Sequence, residues 1–154
     1  MQDKSTNTTA IIFSSARKSG NTSTQVNNYI AKEGGQGFCI DDFVISPYRY
    51  DKNYPEDDFY TLFEQLLTFE HWVIASPIYW YNTTPQMKAF MDRITDYMDD
   101  EALQPKLRTL RQKQFSLLSN ATSASAPGAF IAMFKHTFNY LGMTFIAHSH
   151  VQAS

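Results

Sequence analysis

Hydroxyl, amide and cationic side chains are concentrated in one short segment near the start of the chain. Residues 14–23 read SSARKSGNTS and follow an apolar run, residues 10–13, that is typical of a buried strand. A helix is predicted from Thr22, and helix N-termini present free backbone N–H groups and a positive dipole end to anions. The segment therefore predicts a phosphate-binding loop with Gly20 allowing close backbone approach, and the donors would come from Ser14, Ser15, Arg17, Asn21 and Thr22.

The glycine spacing of this loop excludes two common nucleotide-binding loops. The loop has neither the GxxxxGK[ST] pattern of nucleoside-triphosphate sites nor the GxGxxG pattern that admits a dinucleotide pyrophosphate. Hydroxyl donors around one terminal phosphate suit flavin mononucleotide (FMN) better than a dinucleotide. The alternative is that these side chains only cap a helix, as Ser, Thr and Asn commonly do.

A second segment, residues 72–93 (WVIASPIYWYNTTPQMKAFMDR), places aromatic side chains directly after a predicted strand. The apolar run 72–75 ends at Ser76-Pro77, and a helix is predicted with Thr84 as its cap and Pro85 at its first position. The proline and apolar side chains between strand and helix could lie against a flat ring. One loop shaped for a phosphate and one for an aromatic ring together predict bound FMN.

Strands and helices alternate along the whole chain. This alternation predicts one α/β domain over residues 1–154, with a parallel sheet wrapped by helices on both faces and ligands at the carboxyl ends of the strands. The expected strand order is the flavodoxin-type 2-1-3-4-5. The predicted strands are 10–13, 38–45, 72–75, 115–118 and 144–151, and the predicted helices are 22–32, about 59–67, 85–98 and 128–141.

The flavodoxin-type fold normally has a fifth helix after the last strand, and this sequence offers only a few residues there. Either another subunit covers that face of the sheet, or the first helix and the loops cover it alone. The first possibility predicts a homodimer or a larger assembly.

Composition excludes several classes of partner. The net charge of −2 predicts neither nucleic-acid nor membrane attraction, and no apolar stretch reaches the roughly 20 residues of a membrane span. The single cysteine, Cys39, excludes an internal disulfide and fits a reducing compartment. The chain is therefore expected to be a soluble cytoplasmic protein.

The two segments together resemble the NAD(P)H-dependent FMN reductase family of flavodoxin-like flavoproteins. The first is similar to that family's GSxRxxGNT loop, with Phe13 in place of the leading glycine. The second is similar to its sPvYwxxxPxxxKxfxDR segment. The matching residues there are Ser76, Pro77, Tyr79, Trp80, Pro85, Lys88, Phe90, Asp92 and Arg93.

The resemblance implies that Ser14, Arg17, Asn21 and Thr22 hold the FMN phosphate. It also implies that the segment 77–80 (Pro77, Ile78, Tyr79 and Trp80) lines the isoalloxazine, and that the loop beginning Ser119-Asn120 reaches the other edge of the ring. Tyr79, Trp80 and Tyr81 could instead pack a dimer or shield the ring. The absence of cysteines near residues 47–50 excludes the iron–sulfur cluster that some relatives carry, and Lys88, Asp92 and Arg93 are expected to be structural or interfacial.

In such a protein the flavin supplies the chemistry, so no catalytic side chain is predicted. The leading hypothesis is hydride transfer from NADPH or NADH to FMN and on to a flavin, quinone or similar small acceptor. A flavodoxin-like electron carrier is a second hypothesis, although such carriers are usually strongly acidic, and a flavin-free binding protein on the same fold is a third. His148 and His150 share one face of a strand, but the sequence supplies no third metal ligand, so they are expected at the surface or at an interface.

Overall fold

A five-stranded parallel sheet forms the centre of the structure, a computed structural model that describes residues 8–15, 17 and 19–153. Ala16 and Lys18 of the predicted phosphate loop lie outside these residues. The strand order is 2-1-3-4-5 and every neighbouring pair is parallel, which confirms the predicted fold. The strands are β1 (Thr9–Phe13), β2 (Gln36–Cys39), β3 (His71–Pro77), β4 (Gln114–Ala121) and β5 (Thr144–Gln152).

Six α-helices connect the strands within the residues that the structure describes. Thr84 caps the third of them as predicted, because its Oγ1 accepts a hydrogen bond from the backbone N–H of Met87 over 3.1 Å, and Pro85 occupies the first helical position. The helices are α1 (Asn21–Glu33), α2 (Phe59–Leu66), α3 (Pro85–Arg93), α4 (Thr95–Asp99), α5 (Gln104–Arg108) and α6 (Gly128–Tyr140).

The hydrophobic core is strongly asymmetric about the sheet. The larger cluster packs α2, α3 and α6 on one face, around buried Trp72, Phe63 and Phe138. The smaller cluster is formed by Ile11, Val26, Val73, Ala75 and Leu118, and α1 is the helix that contributes to it. On that face the outer part of β5 stays open, since Ile146 and Val151 are about half exposed.

Several predicted boundaries differ from the structure. The strand predicted over 38–45 ends at Cys39 and turns into a 3₁₀ segment, Ile40–Asp42, where Asp41 accepts a hydrogen bond from the N–H of Ser15. The helix predicted over 85–98 is divided at Ile94, because Ile94 and Tyr97 form the shorter i to i−3 hydrogen bonds. The sequence analysis did not predict α5, which lies in the charged connection before β4.

Ser119 and Asn120 were predicted in a loop, and that placement is wrong. Both lie inside β4, which runs to Ala121, because β3 and β5 continue on either side and pair with these residues. The loop that follows β4 therefore begins at Thr122.

Candidate functional site

Four chain segments meet at the carboxyl edge of the sheet. They follow β1, β2, β3 and β4, and side-chain and backbone hydrogen bonds tie each of them to a neighbour. This is the edge at which parallel α/β sheets bind ligands, because the strand order reverses there. Nine of the twelve residues predicted to hold the cofactor belong to these segments or to the start of α1, and the other three, Pro77, Ser119 and Asn120, lie at the ends of β3 and β4.

The segment after β1 is fixed by the start of α3 and by the end of β2. The buried Ser14 hydroxyl lies 2.6 Å from Thr84 Oγ1, the same atom that caps α3. The Ser15 N–H donates to Asp41 Oδ2 over 2.6 Å, and Ser15 Oγ donates to the carbonyl of Arg17. Ser14 therefore links two loops in this structure, and its hydroxyl does not stand free in the site.

The N-terminus of α1 is open to an anion. Its N-cap is Gly20, and a Cβ at this position would meet the carbonyl oxygen of Arg17 at 3.1 Å. Among the described residues, no side chain accepts a hydrogen bond from the N–H groups of Asn21, Thr22 or Ser23. Free amides, the helix dipole and the exposed Arg17 together fit one terminal phosphate group.

Asn120 joins the end of β4 to the start of α1. Its Nδ2 donates to Thr22 Oγ1 over 2.8 Å, and its carbonyl accepts from the N–H of Ile78 over 3.2 Å. Gln25 completes the contact by donating to the carbonyl of Ser119 over 3.1 Å. The predicted phosphate loop and the predicted ring-binding segment are thus held in a fixed relation through one buried amide.

The segment after β3 is a tight aromatic turn. Tyr79 and Asn82 exchange two backbone hydrogen bonds of 2.7 and 2.9 Å, and the two residues between them, Trp80 and Tyr81, have φ of 48° and 68°. This is the pattern of a type I′ hairpin turn. For L-residues other than glycine, the left-handed region costs about 1–2 kcal/mol per residue.

The surrounding structure maintains this strained turn. Ser76 Oγ lies 2.7 Å from Thr83 Oγ1, and the Thr83 N–H is bound to the side chain of Asn82. Trp80 is nevertheless 94% exposed and Tyr81 65% exposed, so neither aromatic ring belongs to the core. Strain that persists without any packing benefit in the chain itself is typical of sites that contact a ligand.

The Cys39 thiol near this edge is not an activated nucleophile. Burial raises the pKa of the Cys39 thiol, which therefore stays protonated at neutral pH and is a poor nucleophile. The thiol is partly buried. Within the described part of the chain, no group of three or more His, Cys, Asp or Glu side chains could hold a metal ion.

Arg93, at the end of the second motif, makes buried structural contacts. The Arg93 side chain is fully buried and forms ion pairs with Asp57 (2.6 Å) and Asp96 (2.9 Å), while its guanidinium lies 3.6 Å from the Tyr54 ring centroid. Lys88 forms an exposed pair with Asp92 one turn earlier. The Arg93 contacts hold the long connection 43–58 against α3 and α4, whereas the Lys88 pair stays within α3.

Sequence reasoning missed three residues that organise the edge. Asp41 binds the β1 loop, Gln25 binds β4, and the hydroxyl of Thr84 reaches Ser14 in addition to capping α3. The position of Gln25 in α1, one helical turn after Asn21, was the one feature of the sequence that could have placed it on the same helix face as the predicted phosphate loop. The other two contacts join residues 26 and 70 positions apart and have no local signature.

Comparison with known proteins gives a family match over nearly the whole chain. Residues 8–154 match the model of a family described as NADPH-dependent FMN reductase. YwqN of Bacillus subtilis (strain 168), which is named as an NAD(P)H-dependent FMN-containing oxidoreductase, is 24% identical over 151 residues, covering 88% of this chain and 80% of YwqN.

Two solved structures illustrate the similarity of the fold. A Trp repressor binding protein from Bacillus subtilis has a TM-score of 0.77 at 19% identity, over 95% of this chain and 85% of that one. An FMN-dependent NADH-azoreductase from Bacillus anthracis str. Ames Ancestor, solved in complex with FMN, has a TM-score of 0.66 at 11% identity, over 92% and 86% of the two chains.

Proposed function

This chain belongs to the NADPH-dependent FMN reductase family, and we propose that it passes a hydride from NADPH or NADH to bound FMN and the electrons on to a small acceptor. The family's cofactor, FMN, supplies the redox chemistry when it is bound. The residues of the chain bind and orient the cofactor and the two substrates, since hydride transfer between stacked rings depends mainly on proximity and alignment.

The observation that carries this proposal is the pairing of two unlike sites at one sheet edge. The open N-terminus of α1 offers amide donors to a phosphate, and the turn 79–82 offers exposed aromatic rings to a planar group. Asn120 fixes one to the other through Thr22 and Ile78. A ligand with a terminal phosphate at one end and a flat ring at the other, such as FMN, fits this arrangement.

In this proposal the N–H groups of α1, Arg17, Asn21 and Thr22 bind the phosphate. Pro77 and Ile78 lie where β3 ends, half-buried, and would contact the ring from one side. The exposed rings of Trp80 and Tyr79 would contact the isoalloxazine or the molecule stacked on it. We propose a flavin, a quinone or a similar planar compound as the acceptor, because such rings can stack on aromatic side chains.

An electron carrier that never meets a nicotinamide is the second candidate. Its supporting observation is the fold alone, whereas the net charge of −2 does not provide the acidic docking surface of such carriers. Since FMN is the cofactor of the family, a flavin-free binding protein is not proposed further.

The deciding experiment is a visible spectrum of the protein after incubation with FMN and desalting, followed by anaerobic mixing with NADPH or NADH. Retained yellow colour that bleaches rapidly would support the reductase reaction. Yellow colour that persists after mixing with NADPH and after mixing with NADH would favour the electron carrier. A colourless protein after desalting would contradict tight FMN binding at this edge.

We also propose that the chain assembles as a homodimer or larger. The apolar side chains of Ile146 and Val151 on β5 are about half exposed, on the face of the sheet where α1 is the packed helix. Light scattering at micromolar concentration should give at least twice the mass of one chain, and a single-chain mass would refute the assembly.

No helix in the described part of the chain is long and apolar enough to cross a membrane.

A further inference from the structure

Two histidines of β5 converge on one buried hydroxyl. His148 Nε2 and His150 Nδ1 each lie 2.8 Å from Oγ of Ser119, which is fully buried in β4. Alternate residues of a strand share a face, so the two rings lie side by side, with centroids 6.5 Å apart. The proposed hydride transfer uses none of these groups.

The same face of β5 also holds the loop that follows β4. His150 Nε2 lies 3.0 Å from the carbonyl oxygen of Ser123, and Gln152 Nε2 donates to the carbonyl of Thr122 over 2.9 Å. Two consecutive carbonyls are therefore bound by two side chains spaced by two residues. Residues 122–125 are exposed, and these contacts fix the loop at its start.

The chemistry of the partners gives the hydrogen bonds a direction. A carbonyl oxygen has no proton, so the Ser123 contact requires a proton on His150 Nε2. In a neutral imidazole His150 Nδ1 then accepts, which requires Ser119 Oγ–H to donate to it. Ser119 Oγ is left to accept from His148 Nε2–H. The series of hydrogen bonds runs from His148 through Ser119 and His150 to the Ser123 carbonyl.

This series of hydrogen bonds is complete when both imidazoles are neutral. Burial lowers the pKa of His148, and a positive charge on nearby His150 would lower it further. Ser119 itself has no exposure to water, so an unpaired hydroxyl there would cost free energy. Each member is satisfied when the bonds run in the direction given above.

We propose that His150 is a positioning residue, which acts through Ser123 to fix the β4–α6 loop beside the cofactor site. The Ser123 carbonyl requires the Nε2–H tautomer of His150, Ser119 and His148 complete its hydrogen bonds, and Gln152 holds the adjacent carbonyl. The functional part of this inference rests on the proposed function, because the loop matters for activity only if the flavin binds at this edge. The structural part concerns the tautomer and the loop, and both can be measured without a cofactor.

The first test is the tautomer of each histidine in the purified wild-type protein, read from imidazole ¹⁵N chemical shifts near pH 7.5 without FMN. The expected result is the Nε2–H form for both rings. An Nδ1–H form, or rapid exchange between tautomers, at His150 would overturn the inference. This outcome is independent of whether the protein binds a flavin.

The second test compares two substitutions of His150 with a neighbour on the opposite face. His150→Phe removes both hydrogen bonds, whereas His150→Gln keeps an amide that can donate to the Ser123 carbonyl. Ser149→Ala changes the residue between the histidines, which is exposed and lies on the other side of β5. Hydrogen exchange of backbone N–H groups in 122–127 and the FMN dissociation constant are measured for each.

His150→Phe is expected to raise exchange in this loop at least tenfold and to weaken FMN binding about tenfold, with kcat/KM falling in proportion. His150→Gln is expected to stay within threefold of wild type, and so is Ser149→Ala. Unchanged loop exchange in His150→Phe would overturn the positioning role. Faster exchange with unchanged FMN affinity would overturn the link to the site, while a wild-type protein that binds no FMN would instead refute the proposed function.

Discussion

Asn120 Nδ2 donates a 2.8 Å hydrogen bond to Thr22 Oγ1, across 98 positions of the chain. The contact is buried, and it joins the strand beside the aromatic turn to the first turn of the helix that faces the predicted phosphate. Because Thr22 accepts this bond, its own hydroxyl proton remains available to a ligand oxygen. The bond thus orients a donor in the site.

Asn120→Ala should therefore weaken both the fold and the cofactor site. Loss of a buried hydrogen bond costs about 1–3 kcal/mol, because the partner atoms are left unsatisfied. A double-mutant cycle with Thr22→Ala, read by urea unfolding and by FMN titration, should give a coupling of about 0.5 kcal/mol or more. Asn28→Ala on the exposed side of α1 is the control, and additive effects of the first pair would contradict the coupling.

Arg17→Ala should weaken FMN binding by about 1.5–3 kcal/mol, the scale of a hydrogen bond to a charged group. Arg17 is exposed, so its removal should leave the unfolding free energy nearly unchanged. Isothermal titration gives the dissociation constant. Arg108→Ala on α5 is the matched control, since it removes an exposed arginine far from the loop. Equal affinity in Arg17→Ala and wild type would remove Arg17 from the phosphate site.

Tyr81→Gly should stabilise the protein while impairing its reaction. Tyr81 has φ of 68°, which glycine adopts freely, and the relief of strain exceeds or balances the entropy that glycine adds to the unfolded chain. The expected gain is up to about 1 kcal/mol, with a lower kcat/KM for a planar acceptor.

Tyr50→Gly provides the comparison, because Tyr50 is 92% exposed but is not among the residues with positive φ. That variant should gain no stability. A lower melting temperature in Tyr81→Gly than in wild type would contradict the strain in this turn.

Arg93→Met should destabilise the protein by about 3–5 kcal/mol, since it leaves two buried carboxylates, Asp57 and Asp96, without their cation. Lys88→Met removes a cation from the same helix, but its pair with Asp92 is exposed, and the cost should be below about 1 kcal/mol. Chemical denaturation of both variants gives the comparison. Similar losses of unfolding free energy in the two variants would mean that burial does not determine how strongly the Arg93 ion pairs stabilise the protein.

The stability of the protein should fall as the pH drops below about 6.5, the ordinary pKa of histidine. Burial lowers the pKa of His71 and of His148, so the unfolded chain binds protons that the folded chain does not, and stability present above pH 6.5 is lost on acidification. His71→Gln should reduce the difference in unfolding free energy between pH 7 and pH 5. If the difference in unfolding free energy between pH 7 and pH 5 stays unchanged in this variant, His71 does not contribute to the pH dependence.

Protonation of Asp57 is expected to cause a separate loss of stability at lower pH. Burial alone would raise the pKa of this carboxyl, but hydrogen bonds from Arg93 and from the backbone N–H of Ser46 and Phe59 bring it below the ordinary value of about 3.8. Its contribution is therefore present above about pH 4 and is lost as the pH falls further. Arg93→Met should abolish this second step and leave the histidine step in place.

Local features of the sequence were enough to predict the fold class and the segments of the candidate site. Strand and helix periodicity, together with Thr84-Pro85 and the loop 14–23, are local features, because propensity and capping act over a few residues. These features predicted the parallel sheet and the edge that holds the candidate site, and the strand order was expected from the flavodoxin-type fold.

Which side chains of those segments are free to bind a ligand depends on contacts that form only in the folded protein. Ser14, Ser119 and Asn120 were predicted as ligand contacts, yet each directs its side chain to a protein partner 29–98 residues away. His148 and His150 on β5 likewise bind Ser119, 29 and 31 positions away. Such contacts depend on strand register and on loops meeting in space, and a linear pattern of residue types contains no record of either.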